Sequence, residues 1–258
     1  MDLGISGKTA LLTASSRGLG KACALALAGE GVNVTINGTS ETNLAAAAAE
    51  IEPIGVNVTT VAADINTHEG RNALLAACPD PDILVNNNWG PSPGPWESFE
   101  YADWLQAVEA NMLAPIMMIK GVVGGMRVRK FGRIVNITSQ MVKSPFAVMG
   151  LSAGARAGLT AACKALSREV AADNVTINNL LPERIDTERQ VYMAKQRAVS
   201  SGMSYDDART EMVSSIAAGR MGSPEELGAA CAYLCSAFAG YISGQNLQLD
   251  GGSYRGTF

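Results

Sequence analysis

Seven short apolar, β-branched runs recur along the chain with longer alanine-rich segments between them, and this alternation leaves few folds open. The runs cover residues 9–13, 32–37, 57–62, 83–86, 133–137, 176–180 and 246–249. Most are almost unbroken in apolar residues, as strands of a parallel sheet must be when helices cover both faces. The segments between them include helix-like stretches at 19–29, 41–52, 103–126, 152–172 and 224–236. The last opens on Ser223-Pro224-Glu225-Glu226, a cap followed by proline and acid in the first turn. Strand–helix alternation of this kind predicts an α/β fold: one Rossmann-type, doubly wound, seven-stranded parallel sheet with right-handed crossovers. A single domain of 258 residues suits that fold. Only 183–220 breaks the rhythm. It is charged and Met-bearing, and its late position predicts a helical lid over a ligand crevice.

Composition narrows the partners. The net charge is −4, and no basic run is present to hold nucleic acid or an anionic membrane. No apolar run reads as a bilayer span and no secretory leader is evident, so a cytoplasmic protein is expected. Five scattered cysteines fit a reducing compartment. Cys231 and Cys235, one helical turn apart, read as small residues on a buried helix face. With His68 the only histidine, no metal site is expected. His68 itself reads as a solvated loop residue.

The first strand runs into Thr13-Ala14-Ser15-Ser16-Arg17-Gly18-Leu19-Gly20, and a helix follows. Small residues there allow a tight turn and close approach of backbone to a pyrophosphate, which the helix N-terminus then holds. In this stretch the chain resembles the short-chain dehydrogenase/reductase family, and the match runs nearly end to end. The family's Thr-Gly-x-x-x-Gly-x-Gly loop has Ala14 at its first glycine, a substitution that fits if φ is negative there. Asp64 and Ile65 stand where the family contacts adenine. Asn86-Asn87 ends the fourth strand, followed by Asn88 and Trp89 in place of Ala-Gly. Asn111 matches the helix asparagine, Ser139 the catalytic serine, and Gly244-Gln245-Asn246-Leu247 with Asp250-Gly251-Gly252 the C-terminal signature. The resemblance implies a nicotinamide dinucleotide bound by Thr13, Ser15, Ser16, Arg17, Gly18, Leu19, Gly20, Asn37, Asp64, Ile65, Asn86, Asn87 and Pro182. The second strand ends in Asn37-Gly38-Thr39-Ser40, with no acid for a ribose 2′-hydroxyl. Arg17 could pair with a 2′-phosphate. NADP is therefore favoured over NAD.

At the catalytic end the resemblance breaks. Family members use a tyrosine as proton donor and a lysine four residues later. Here Ser152 and Arg156 hold those places, the register fixed by the trailing Ala157-Gly158-Leu159. No Tyr-x-x-x-Lys occurs elsewhere. A tyrosine titrates near ~10 and can be tuned downward, whereas a serine hydroxyl is a far weaker acid and an arginine keeps its proton. Loss of a positioned acid usually costs about 10²–10⁴ in rate. Glu183 after Pro182, where glycine is usual, adds a charged group to the same end.

Three readings stay open. One is an atypical NAD(P)-dependent oxidoreductase acting on a small carbonyl, alcohol, imine or enone, with a proton relay through Ser139, Ser152 and Asn111. Another is a redox-neutral lyase, isomerase or cyclase in which Arg156, Asn111 and Ser139 stabilise negative charge. The third is a non-catalytic ligand-binding homologue. Trp89 and Trp96, bracketing a proline-rich loop, suggest an aromatic wall at the substrate entrance. Tyr192 and Tyr205 read as packing residues of the lid helix, and Arg184, Arg189 and Arg197, interleaved with Glu183, Asp186 and Glu188, as a solvated charged face. The resemblance also implies a homodimer or homotetramer packed through 103–126 and 152–172, with Phe258 of the tail docking on a neighbour.

Overall fold

The computed structural model describes residues 2–257, so Phe258 and its docking role lie outside the described residues. Seven parallel strands form one sheet in the order β3-β2-β1-β4-β5-β6-β7. They are β1 (Thr9–Leu12), β2 (Asn33–Gly38), β3 (Val58–Ala62), β4 (Ile83–Asn86), β5 (Gly132–Ile137), β6 (Val175–Pro182) and β7 (Asn246–Leu249). All seven fall where the apolar runs predict them, within two residues. Alternation along each central strand sends side chains to opposite faces. Ala10, Leu12, Ile83, Val85 and Val135 enter one core with α1 (Gly18–Gly29), α2 (Glu41–Ile51) and α9 (Pro224–Cys235). Leu11, Leu84 and Ile134 enter the other with α3 (His68–Ala77), α5 (Ala114–Arg129) and α6 (Gly150–Val170). All five cysteines are buried. His68 opens α3 instead of sitting in a loop, because Thr67 caps that helix by accepting the Gly70 amide.

The 103–126 stretch is not one uniform helix. It divides into α4 (Tyr101–Val108), a π-turn at Glu109–Leu113 and α5. By length and composition the whole helix Tyr101–Arg129 could cross a membrane, with mean hydropathy 1.3, which corrects the reading that no such segment exists. Its apolar side is nevertheless core: Met118, Ile119, Val122 and Met126 are buried in the cluster beneath the sheet.

The segment expected to form a lid folds as two helices, α7 (Glu188–Ser201) and α8 (Tyr205–Val213), broken at Gly202 with φ +66°. Its two ends are tied together where Asp186 donates its amide to the Gly222 carbonyl and Gly222 donates to Arg184. The Arg197–Glu211 and Arg209–Asp186 ion pairs knit the two helices to each other and to the entering strand.

Candidate active site

Strand order reverses between β1 and β4, and in such sheets ligands bind beyond the carboxyl ends at that point. A cleft of about 730 Å³ lies there, between the loop after β1, the segment after β4, the first turn of α6 and the start of the lid. Of the expected residues, Ser16, Arg17, Gly18, Leu19, Asn37, Asp64, Ile65, Asn87, Pro182, Ser139, Ser152 and Arg156 line it.

Thr13, Ser15, Gly20, Asn86 and Asn111 do not line it. The first four build the walls. Thr13 Oγ1 donates to the Asn87 carbonyl at 2.7 Å and accepts the Asn87 amide at 2.8 Å, which joins the ends of β1 and β4. Ser15 Oγ donates to Leu12 and accepts from Asn37. Gly20 packs under the loop so closely that a Cβ would stand 2.8 Å from Ser15 Cα. Asn86 is buried and donates to Asn136. Asn111 sits in the π-turn, donates to the Ala107 carbonyl, and leaves Oδ1 buried without a partner. It borders a separate cavity of about 10 Å³ behind Arg156. The two serines share the main cleft, and Asn111 borders the small cavity that Arg156 separates from it.

The loop after β1 carries a second correction. Ala14 has φ +43°, not a negative value. Left-handed backbone costs an L-residue about 1–2 kcal/mol. Two asparagines hold it there. Asn37 Oδ1 accepts the Ala14 amide at 3.1 Å, and Asn87 Nδ2 donates to its carbonyl at 2.9 Å. Asn37 Nδ2 also donates to the carbonyls of Val61 and Ala63, so its side chain is saturated by backbone and supports the loop rather than reaching out for a ribose. The N-terminus of α1 has no side-chain cap, which leaves its amides to an anion. Arg17, with 61% of its side chain exposed, forms an ion pair with Glu188 at 3.0 Å, bridging the loop to the lid.

Arg156 occupies the floor of the cleft and is only 7% exposed. Its Nε donates to Ser152 Oγ at 3.2 Å and Nη1 to the Ile137 carbonyl at 2.8 Å. Both acceptors are neutral. Burial, then the nearby Arg189 charge, pushes its pKa down to about 10, so it remains a cation at neutral pH. Ser139 Oγ accepts the Met141 amide at 3.2 Å. No tyrosine or lysine is among the residues lining the cleft. Trp89 does line it and is 42% exposed. Glu183 reaches in with Oε2 buried and unpartnered. Arg189 was expected on a solvated face. It is exposed and also lines the cleft, with its guanidinium 5.9 Å from the Tyr192 ring centroid and Nη2 donating to the Pro91 carbonyl at 3.1 Å, which ties α7 to the proline-rich loop. Arg197 and Arg184 stay within the lid, on Glu211 and on Met212 and Ser215.

Such a cleft offers an uncapped helix terminus and a buried guanidinium to an anionic ligand, and no tyrosine or lysine lines it. Residues 13–254 match the family model described as Enoyl-(Acyl carrier protein) reductase. The chain is similar to 3-oxoacyl-[acyl-carrier-protein] reductase FabG of Vibrio cholerae, with 33% identity across 98% of this chain and 99% of the relative. It is also similar to the NADPH-dependent reductase BacG of Bacillus subtilis, with 31% identity across 97% of this chain and 99% of the relative. Among solved structures, L-sorbose reductase from Gluconobacter frateurii, complexed with NADPH and L-sorbose, superposes with a TM-score of 0.94 at 31% identity, covering 99% of this chain and all of the other. Fold, strand order and end-to-end similarity agree: the chain belongs to the short-chain dehydrogenase/reductase family.

Proposed function

We propose that the protein is an NADPH-dependent reductase of an electron-poor small molecule, such as an enone, an imine or an activated carbonyl, and that it works without a phenolic acid. The observation that carries this is the pairing of a dinucleotide-type loop with a cleft floor where a buried guanidinium stands in place of a phenol and an ammonium. NADPH fits the donors present. The uncapped α1 terminus suits a pyrophosphate, no acid ends β2, and Arg17 is exposed beside the loop to meet a 2′-phosphate. The relatives described with NADPH support the same choice. Bound there, the cofactor supplies hydride.

The chain's own residues then handle charge. As an acceptor is reduced, electrons move to its oxygen or nitrogen, and Arg156 stabilises the anion that forms. Ser139 and Ser152 offer hydroxyls to orient it. The completing proton comes from water, because Arg156 keeps its own at neutral pH. Acceptors whose anion is already delocalised need least acid help, which is why activated substrates are favoured over simple ketones. Trp89 supplies an apolar wall for them, so Trp89→Gly should weaken aromatic substrates about tenfold in KM, measured by initial rates. Assembly as a homodimer or homotetramer belongs to the same proposal, and light scattering checks it.

The test is direct. Fluorescence titration should show uptake of NADPH in preference to NADH, and NADPH oxidation should be faster with enones and imines than with unactivated ketones. Failure to bind either dinucleotide, or equal rates with simple ketones, overturns the reading.

A further inference from the structure

Side chains cap most free helix N-termini here. Ser40, Thr67, Ser204 and Ser223 do so for α2, α3, α8 and α9. The N-caps of α1 and α7 make no such bond and both termini open onto the cleft, whereas α6 continues a 3-10 turn whose Ala147 carbonyl accepts the Gly150 amide. The α1 end belongs to the dinucleotide loop. The α7 end carries Arg189 in its first turn.

Arg156 and Arg189 converge on one dipeptide. Arg189 Nη2 donates to the Pro91 carbonyl at 3.1 Å. A methyl built on Gly90 would stand 3.8 Å from Arg156 Nη2. Among the described residues neither guanidinium forms an ion pair with a carboxylate. Glu188 is taken by Arg17, and Glu183, the other acid of the cleft, leaves its buried Oε2 unbonded. Arg189 is also the second residue of α7, where the helix dipole disfavours a cation and favours an anion. Two guanidiniums on one cleft, one of them buried and neither paired with a carboxylate, favour an anionic group there.

We propose that the substrate carries a carboxylate, held between Arg156 and Arg189 beside Gly90 and Pro91. This rests on the reductase reading and deepens it by naming a feature of the substrate. A planar, two-oxygen anion matches the guanidinium fork. The reducible double bond or carbonyl would then lie beside the carboxylate, within reach of Ser139 and Ser152, with the remainder of the molecule against Trp89.

Calorimetry with 4-phenyl-2-oxobut-3-enoate and its methyl ester separates charge from shape, because the two share one skeleton. The acid should bind the NADPH-saturated protein about ten- to a hundredfold more tightly than the ester, the range expected for charge-assisted hydrogen bonds. Arg189→Gln should bring the ratio close to one. Repeating the titration without cofactor keeps the two proposals apart. Acid preference in a protein that never takes NADPH would support the carboxylate seat and sink the reductase. NADPH uptake with equal affinity for acid and ester, or no uptake of the acid, would overturn the seat and leave the reductase standing. Arg156→Met should abolish the preference as well, with its fold checked by circular dichroism.

Discussion

The Arg156→Met variant should lose its function without losing its fold, and the balance can be worked through. At 1.36 kcal/mol per pH unit, a guanidinium depressed to about pKa 10 carries about 3 kcal/mol of penalty for staying charged in the folded protein. Below about pH 10 the folded and unfolded chains both keep this proton, so the penalty is constant across neutral pH. Removing the charge recovers it. Against that gain stand the bonds to Ser152 Oγ and the Ile137 carbonyl, which lose their donor. Leaving such acceptors unpaired costs about 1–3 kcal/mol each. Methionine fills much of the volume, so little cavity term is added. The net change should fall within about 1–2 kcal/mol of zero, or roughly 2–8 °C in Tm for a chain of this length. The rate should behave differently. Removing one positioned donor of positive charge typically costs about 10²–10³ in kcat. Scanning calorimetry gives the first number, and initial rates of NADPH oxidation with an enone acid give the second. A fall in Tm beyond about 10 °C with unchanged turnover per folded molecule would show that Arg156 is a strut of the core, and the charge-stabilisation argument would fail.

Three further outcomes follow from the same structure. Ser152→Tyr combined with Arg156→Lys should confer reduction of unactivated ketones, because Ser152 lines the cleft where a phenol would project; no gain in a ketone-panel assay would count against an intact hydride-transfer geometry. Ala14→Gly should raise stability by about 0.5–1 kcal/mol, as relief of the left-handed alanine exceeds the extra chain entropy of glycine; differential scanning calorimetry reads it. Glu226 is held down to about 2, first by Arg220 and then by the Ser223 amide. Its folded-state value lies below its unfolded one, so its contribution is present above the ordinary carboxylate range and fades as pH falls toward 2. The difference in urea midpoint between the protein and Glu226→Gln should be full at pH 6, shrink below the ordinary carboxylate range and vanish only as pH falls through about 2.

The centre of the sheet was legible because its strands are buried on both faces, while the edge strands β3 and β7 are partly exposed and carry polar residues. Helix boundaries were less so. The α3 segment carries His68, Glu69, Arg71 and Asn72 in its first turns, so its apolar stripe is thin, and the Thr67 cap was its best signal. The family loop marked the cleft, yet Thr13 and Ser15 turned inward to backbone carbonyls and Asn86 to the Asn136 side chain, because short polar side chains next to unpaired strand ends find local partners first. Asn37 could not be read as a loop support, since its partners Val61 and Ala63 lie more than twenty residues away. The bond from Arg189 to the Pro91 carbonyl joins residues nearly a hundred apart, which no local pattern displays. A cation placed at the start of a helix, against the dipole, was the one hint of it in the sequence.

The π-turn at Glu109–Leu113 has a consequence for how the gene can change. An α-helix advances about 100° per residue, so losing one residue from a regular stretch swings everything downstream out of register. A turn that already holds one residue more than the α-helical repeat can surrender it and close into ordinary helix. The long helix thus contains a single place where a codon can be lost with α5 still facing the sheet, and the same place sets the angle of Asn111.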